Sequence, residues 1–211
     1  MRMSNEGLKL LIKSEGVRHQ VYDDRTGKVV SSYEMVQGYP TIGVGHLIRG
    51  EAAKSEWAEY LGGRKTLSES QVMSLLRKDV KKFEDPLNIA IQVPITQSMF
   101  DALVHLSFNV GKNARSVKNA VAAVNQKQWQ QAAQAIASGP STSKGREIPS
   151  LARRRAKEAA WFLAEGTPNP LSILKQTAIF GIPWWSLLLS TSSLSMGMWL
   201  LLRPKFKKKK K

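Results

Sequence analysis

Glu15 and Asp24 are the two carboxyl groups whose setting in the chain could do chemistry. Glu15 closes an amphipathic helical pattern that starts at Asn5, with Leu8, Leu11 and Ile12 on one face, and Gly16 follows in the place of a C-cap glycine. A carboxyl there stands at the rim of a packed helix, half out of water, which suits the protonated form of a general acid. Asp24 follows a short extended run, Val17 to Tyr22, in the turn-like Asp23-Asp24-Arg25-Thr26-Gly27, so it is expected to be solvated and ionised. One acid kept neutral and one kept charged is the arrangement that glycosidic bond cleavage needs. Two carboxylates flanking a turn are more commonly solvated surface charges, so the pair needs support from its surroundings.

The elements that must hold these groups follow in chain order. Val17 to Gly45 is rich in Val, Tyr, Thr, Gly and Ser, with turns at Thr26-Gly27 and Gly38-Tyr39-Pro40. It predicts a small antiparallel sheet forming one wall of a cleft, with Gly43 and Gly45 free to adopt positive φ. From Glu51 onward the pattern is almost wholly helical. Ser68 reads as an N-cap, with Gln71 completing a capping box, for a helix whose stripe is Val72, Leu75, Leu76, Val80 and Phe83; Pro86 falls just beyond it. Thr96 caps a helix that is apolar on most faces as far as Val110 and should run through the core. Val117 to Val124 and Trp129 to Ile136 predict two short helices, and Gly139 to Gly145 a plain loop. Ser150 is expected to cap a last helix carrying Arg153, Arg154, Arg155 and Glu158. Three adjacent arginines fan around a helix, so one can take an acidic core partner while the others face anions.

Taken together, Glu15-Gly16, Tyr22-x-Asp24 and Thr41-Ile42-Gly43-Val44-Gly45-His46 resemble the phage-type lysozymes, glycoside hydrolase family 24. The run from Leu151 to Glu158 adds a second anchor, and the resemblance covers about Asn5 to Glu165. It implies an α+β, mainly α, lysozyme-like two-lobed fold, with a small antiparallel sheet lobe and a helical lobe. It also implies a muramidase that cuts the β-1,4 bond between N-acetylmuramic acid and N-acetylglucosamine in bacterial peptidoglycan. Carried over residue by residue, Glu15 is the acid, Asp24 the base or electrostatic partner, and Thr41 helps to hold the attacking water. Asn109, in Phe108-Asn109-Val110-Gly111, is the substrate-contacting candidate, with satisfaction of helix-end carbonyls as the other reading. His46 is expected to pair with Asp79 and hold the fold. The insert between Asp24 and Thr41 is longer than in the shortest family members, which makes Asp23 a rival for the place of Asp24. No cofactor and no metal is implied.

Charge divides the chain. Of 32 basic and 16 acidic residues, 24 basic and all 16 acidic ones lie in 1–166, and 167–211 carries 8 basic residues and no acid. Such a surface suits a polyanion, whether nucleic acid, anionic lipid or wall polymer. Nucleic acid is not expected, because no aromatic stacking platform or reading helix accompanies the arginines. There are no cysteines, which excludes disulfides and cysteine metal sites. Met1 to Ser4 show no secretory signal, so synthesis in the cytoplasm is expected. The organisation reads as a lysozyme-like domain at 1–166, a linker at 167–176, a hydrophobic segment at 177–202 and a polybasic end at 203–211. No charged residue stands between Lys175 and Arg203, and Trp184, Trp185 and Trp199 are placed as interface anchors, so association with an anionic membrane is expected. The body is expected to be monomeric. Two other functions remain open: a lytic transglycosylase, and a membrane-active cationic protein in which the tail dominates.

Overall fold

In the computed structural model, which describes residues 1–49, Tyr60, 66–143 and 146–166, a three-stranded antiparallel sheet stands beside six α-helices. α1 spans Asn5–Glu15 and is capped by Ser4, whose Oγ accepts from the Gly7 amide at 2.9 Å. Gly16, at φ +78°, ends the helix by donating its amide to the Ile12 carbonyl, as a C-cap glycine does. The chain then enters β1 (Arg18–Asp23), which pairs with β2 (Pro40–Gly43), and β2 pairs with β3 (His46–Leu47). Tyr22 and Leu47 flank Thr41 on either side of this middle strand. Gly43 and Gly45 take positive φ, +65° and +73°, so the chain can turn tightly from β2 into β3.

The helical lobe is built around α3 (Gln97–Val110), in which every residue from Ser98 to Ser107 is buried. Thr96 caps it through the Met99 amide. Around it lie α1, α2 (Glu69–Ala90), α4 (Arg115–Asn125) and α6 (Pro149–Phe162), while α5 (Trp129–Ala137) packs on α4 and α6. α2 begins with the full capping box that Ser68 and Gln71 predict, and it touches both β2 and β3, so it carries the sheet.

Three local expectations are corrected. Pro86 does not end α2; the helix continues to Ala90. Proline removes one ladder hydrogen bond, but this last turn is held by tertiary contacts. Glu84 Oε1 accepts the Met3 amide at 2.8 Å, Leu87 is buried, and Asn125 Nδ2 donates to the Ala90 carbonyl at 2.9 Å. The stretch from Gly139 to Gly145 is not a plain loop, because β4 (Thr142–Ser143) and β5 (Arg146–Glu147) form a short antiparallel pair. Ser150 is not a cap: Ile148 occupies that position without a side-chain hydrogen bond, and Pro149 opens α6 with its preset φ and no orphan amide. Residues 167–176, 177–202 and 203–211, and the helical pattern predicted over most of 51–65, lie outside the described residues. Among the described residues no helix is long and apolar enough to cross a membrane.

Candidate active site

The predicted residues fall into two clusters, one on each lobe. On the sheet side, Asp24 and Thr41 meet through Tyr39. Asp24 donates its amide to the Tyr39 carbonyl at 3.0 Å and accepts the Tyr39 amide at Oδ1 at 2.7 Å. Thr41, 2 % exposed, donates its hydroxyl to the same carbonyl at 3.2 Å. Asp24 Oδ2 keeps no hydrogen-bond partner among the described residues.

Asp23 takes a different place. Its carboxylate is fully buried and accepts the amides of Thr26 (2.7 Å), Gln37 (2.5 Å) and Gly38 (2.7 Å). The Gly38 amide leads in holding its pKa down to about 2, against the upward push of burial. Asp23 therefore clamps the two ends of the long insert, and Asp24 is the exposed member of the pair.

On the helical side, Glu15 Oε1 accepts from Arg154 Nη2 at 2.5 Å, with a quarter of the Glu15 side chain exposed. The rim expected to be merely half-dry thus holds a guanidinium. Glu15 Oε2 has no partner among the described residues. Arg154 also donates from Nε to Glu158 Oε1 at 3.2 Å. Of the three arginines, Arg155 is the one in the core, with no exposed surface. It donates from Nη2 to Glu158 Oε1 (2.8 Å) and to Asn109 Oδ1 (2.9 Å). The carbonyl of Asn109 is therefore committed to a buried guanidinium. Beside Arg154, between α1 and α6, lies a cavity of about 440 Å³ lined in part by Lys13, Ser14, His105, Arg153, Lys157 and Trp161. Neither Asp24 nor Thr41 reaches it.

His46 and Asp79 tie the lobes together. His46 Nδ1 lies 2.8 Å from Asp79 Oδ2, and Lys82 Nζ donates to Asp79 Oδ1 at 2.8 Å. Burial pushes the Asp79 carboxyl up, but the hydrogen bonds from His46 and Lys82 outweigh it and hold it below the ordinary carboxylate range.

Sequence reasoning missed Arg154 as the partner of Glu15, the clamp made by Asp23, and His105. The Asp23-x-x-Thr26 spacing carries a local signal, that of an Asp accepting backbone amides within its own turn. Arg154 gave none, since its partner is 139 residues away.

Comparison with known proteins extends this geometry. A family model for phage lysozyme matches residues 12–158. Over 164 residues the chain is 32% identical to the endolysin of Salmonella phage P22, covering 78% of this chain and 99% of that one. A crystal structure of a P22 lysozyme point mutant matches with a TM-score of 0.62 at 30% identity, covering 77% and 99% of the two chains. The muramidase domain of SpmX from Asticaccaulis excentricus matches with a TM-score of 0.56 at 26% identity, covering 79% and 99%. Alike in sequence and in fold over most of its length, the chain belongs to the phage lysozyme family.

Proposed function

We propose that the protein is an endolysin-type muramidase. It hydrolyses the β-1,4 bond between N-acetylmuramic acid and N-acetylglucosamine in bacterial peptidoglycan, and the loss of wall leads to lysis of the host cell. The observation that carries the reading is a pair of carboxylates, one on each lobe, each with one oxygen held and the other open. Arg154 fixes one oxygen of Glu15 and leaves the other open, while the Tyr39 amide fixes one oxygen of Asp24 and leaves the other open. Family membership supports the substrate class, since the P22 relative is an endolysin and the SpmX domain a muramidase.

In the proposed step Glu15 Oε2 gives its proton to the glycosidic oxygen as the bond to the anomeric carbon breaks. A water beside Asp24 and Thr41 attacks that carbon and gives up its proton to Asp24 Oδ2. The course is inverting where the carboxylates stand far enough apart for the water to lie between them. Asn109, with its carbonyl held by Arg155, is left its amide N–H for a sugar oxygen. Arg153 and Lys157, which make no ion pair among the described residues, suit carboxylates or phosphates of the wall. The uncharged run between Lys175 and Arg203 and the lysines after it suit a segment that associates with an anionic membrane, on a monomeric enzyme.

Mass spectrometry of the products from purified peptidoglycan tests the reading. Reducing ends that carry added water support hydrolysis. Anhydro ends move the protein to the lytic transglycosylases and leave Asp24 and Thr41 without their roles. Clearing of cells without any wall fragments would favour the membrane-active alternative.

A further inference from the structure

The proposed mechanism leaves unused a set of contacts that encircles the end of α1. Glu15 Oε1 accepts from Arg154 Nη2 (2.5 Å), and Arg154 Nε donates to Glu158 Oε1 (3.2 Å). The same Glu158 oxygen lies 2.7 Å from His105 Nδ1, and His105 Nε2 lies 3.1 Å from Ser14 Oγ. Ser14 is joined to Glu15 by the peptide bond, so the path closes into a ring through α1, α3 and α6.

We infer that His105 and Glu158 are positioning residues for Glu15, acting on it through Arg154 from one side and through Ser14 from the other. The inference rests on Glu15 being the acid. Its physical basis is the contrast in burial around the ring. Glu15 is the last residue of its helix, where helices fray, and a long Arg154 side chain would by itself sample many rotamers. His105 and Glu158 are 4 % and 2 % exposed and are locked by packing; the His105 ring also meets Trp161 edge-on, with centroids 6.1 Å apart. These buried members hand their order to the two more exposed ones. Three donors, from His105, Arg154 and Arg155, converge on the single oxygen Glu158 Oε1. Loss of the His105 bond therefore lets Glu158 turn toward Arg155, whose buried Nε and Nη1 have no hydrogen-bond partner among the described residues, and away from Arg154. The other charged groups near His105 are Lys13, Arg153 and Lys157, which line the cavity that His105, Ser14, Arg154 and Glu158 border.

The test uses the full chain with His105→Leu and His105→Asn. Asparagine places an amide N–H near the position of Nδ1 and can restore the bond to Glu158, whereas leucine cannot. His105→Leu should lower kcat on purified peptidoglycan about tenfold with KM little changed. It should also displace the basic limb of the kcat–pH profile, and His105→Asn should recover most of both. An unchanged kcat and pH profile in His105→Leu, with only a lower Tm, would overturn the inference. If His105→Leu does not fold, Ser14→Ala opens the ring at an exposed residue and should move the same limb with a smaller loss; an unmoved limb there is equally fatal. Carboxyl NMR of Glu15 separates this claim from the assigned activity. A titration midpoint that moves in His105→Leu while the wild type cuts no wall upholds the ring and rejects the catalytic reading. A midpoint that stays put in an active enzyme rejects the ring.

Discussion

Gly38 lies against both aspartates, and replacing it with alanine presses most directly on Asp24. Its amide donates to Asp23 Oδ2, while an added Cβ would stand 2.2 Å from Asp24 Oδ1, 2.8 Å from Arg25 Cβ and 3.1 Å from the Arg25 nitrogen. Carbon–oxygen contacts begin near about 3.3 Å, so the Asp24 oxygen must retreat by about 1 Å and give up the Tyr39 amide. The φ of Gly38 lies outside the left-handed region, so alanine adds no backbone strain of its own. The Asp24 oxygen is the end of a flexible side chain, but Arg25 Cβ is fixed to the backbone, so the turn must shift as well and the cost in stability should reach about 1–3 kcal/mol. The rate should fall as well, because about 1 Å of misplacement at a reacting group is worth roughly 10²-fold. The assay is the initial rate of peptidoglycan clearing beside a thermal melt, with Gly27→Ala as the control. Gly27 has φ +71° and open space around the added Cβ. That variant should lose about 1 kcal/mol of stability and keep its rate. A Gly38→Ala enzyme within about threefold of wild type would show that the position of Asp24 does not matter to the reaction.

Asp23 makes a prediction about acid stability. Its folded pKa of about 2 lies below the free value of about 3.9. A depressed folded value contributes stability that is full above the free pKa and is lost as the pH falls through the folded one. The gap in Tm between wild type and Asp23→Asn should therefore be constant above about pH 5, narrow from roughly pH 4 downward and vanish only below about pH 2; a gap still at full width at about pH 2 would contradict the clamp. Glu158→Gln leaves the fully buried Arg155 facing a neutral amide, and urea unfolding should show a loss of about 3–5 kcal/mol. Ser68→Ala removes half of a capping box at the start of α2 and should cost about 1 kcal/mol without changing the rate. Leu103→Ala, at the centre of α3 with no exposed surface, should cost about 2–5 kcal/mol in the same measurement.

Most local signals in the sequence hold in the structure, Pro86 and Ser150 apart, whereas the non-local pairings other than His46 with Asp79 carry no local signal. The Ser68–Gln71 box, the Thr96 cap and the Gly16 terminus each depend on residues within one turn of each other, and all three are present. The burial of α3 follows from its apolar faces. Pro86 misled because its penalty is local while the contacts that carry α2 past it come from Met3 and Asn125. The pairing of Arg154 with Glu15, and of Arg155 with Asn109, is set by how α6 lies against α1 and α3, and no spacing encodes that. Composition could say that one arginine would have an acidic core partner. It could not say that the neighbouring one would grip the proposed acid.

The most direct measurement of the central claim is the turnover of Glu15→Gln on purified peptidoglycan in ¹⁸O-labelled water. The glutamine keeps the shape and an acceptor for Arg154 but has no proton to give. Wild type should place one ¹⁸O on each new reducing end, and the variant should be slower by about 10²–10⁴-fold, the range for loss of a general acid. A variant within about tenfold of wild type, or wild-type products without ¹⁸O, would contradict acid catalysis of hydrolysis by Glu15.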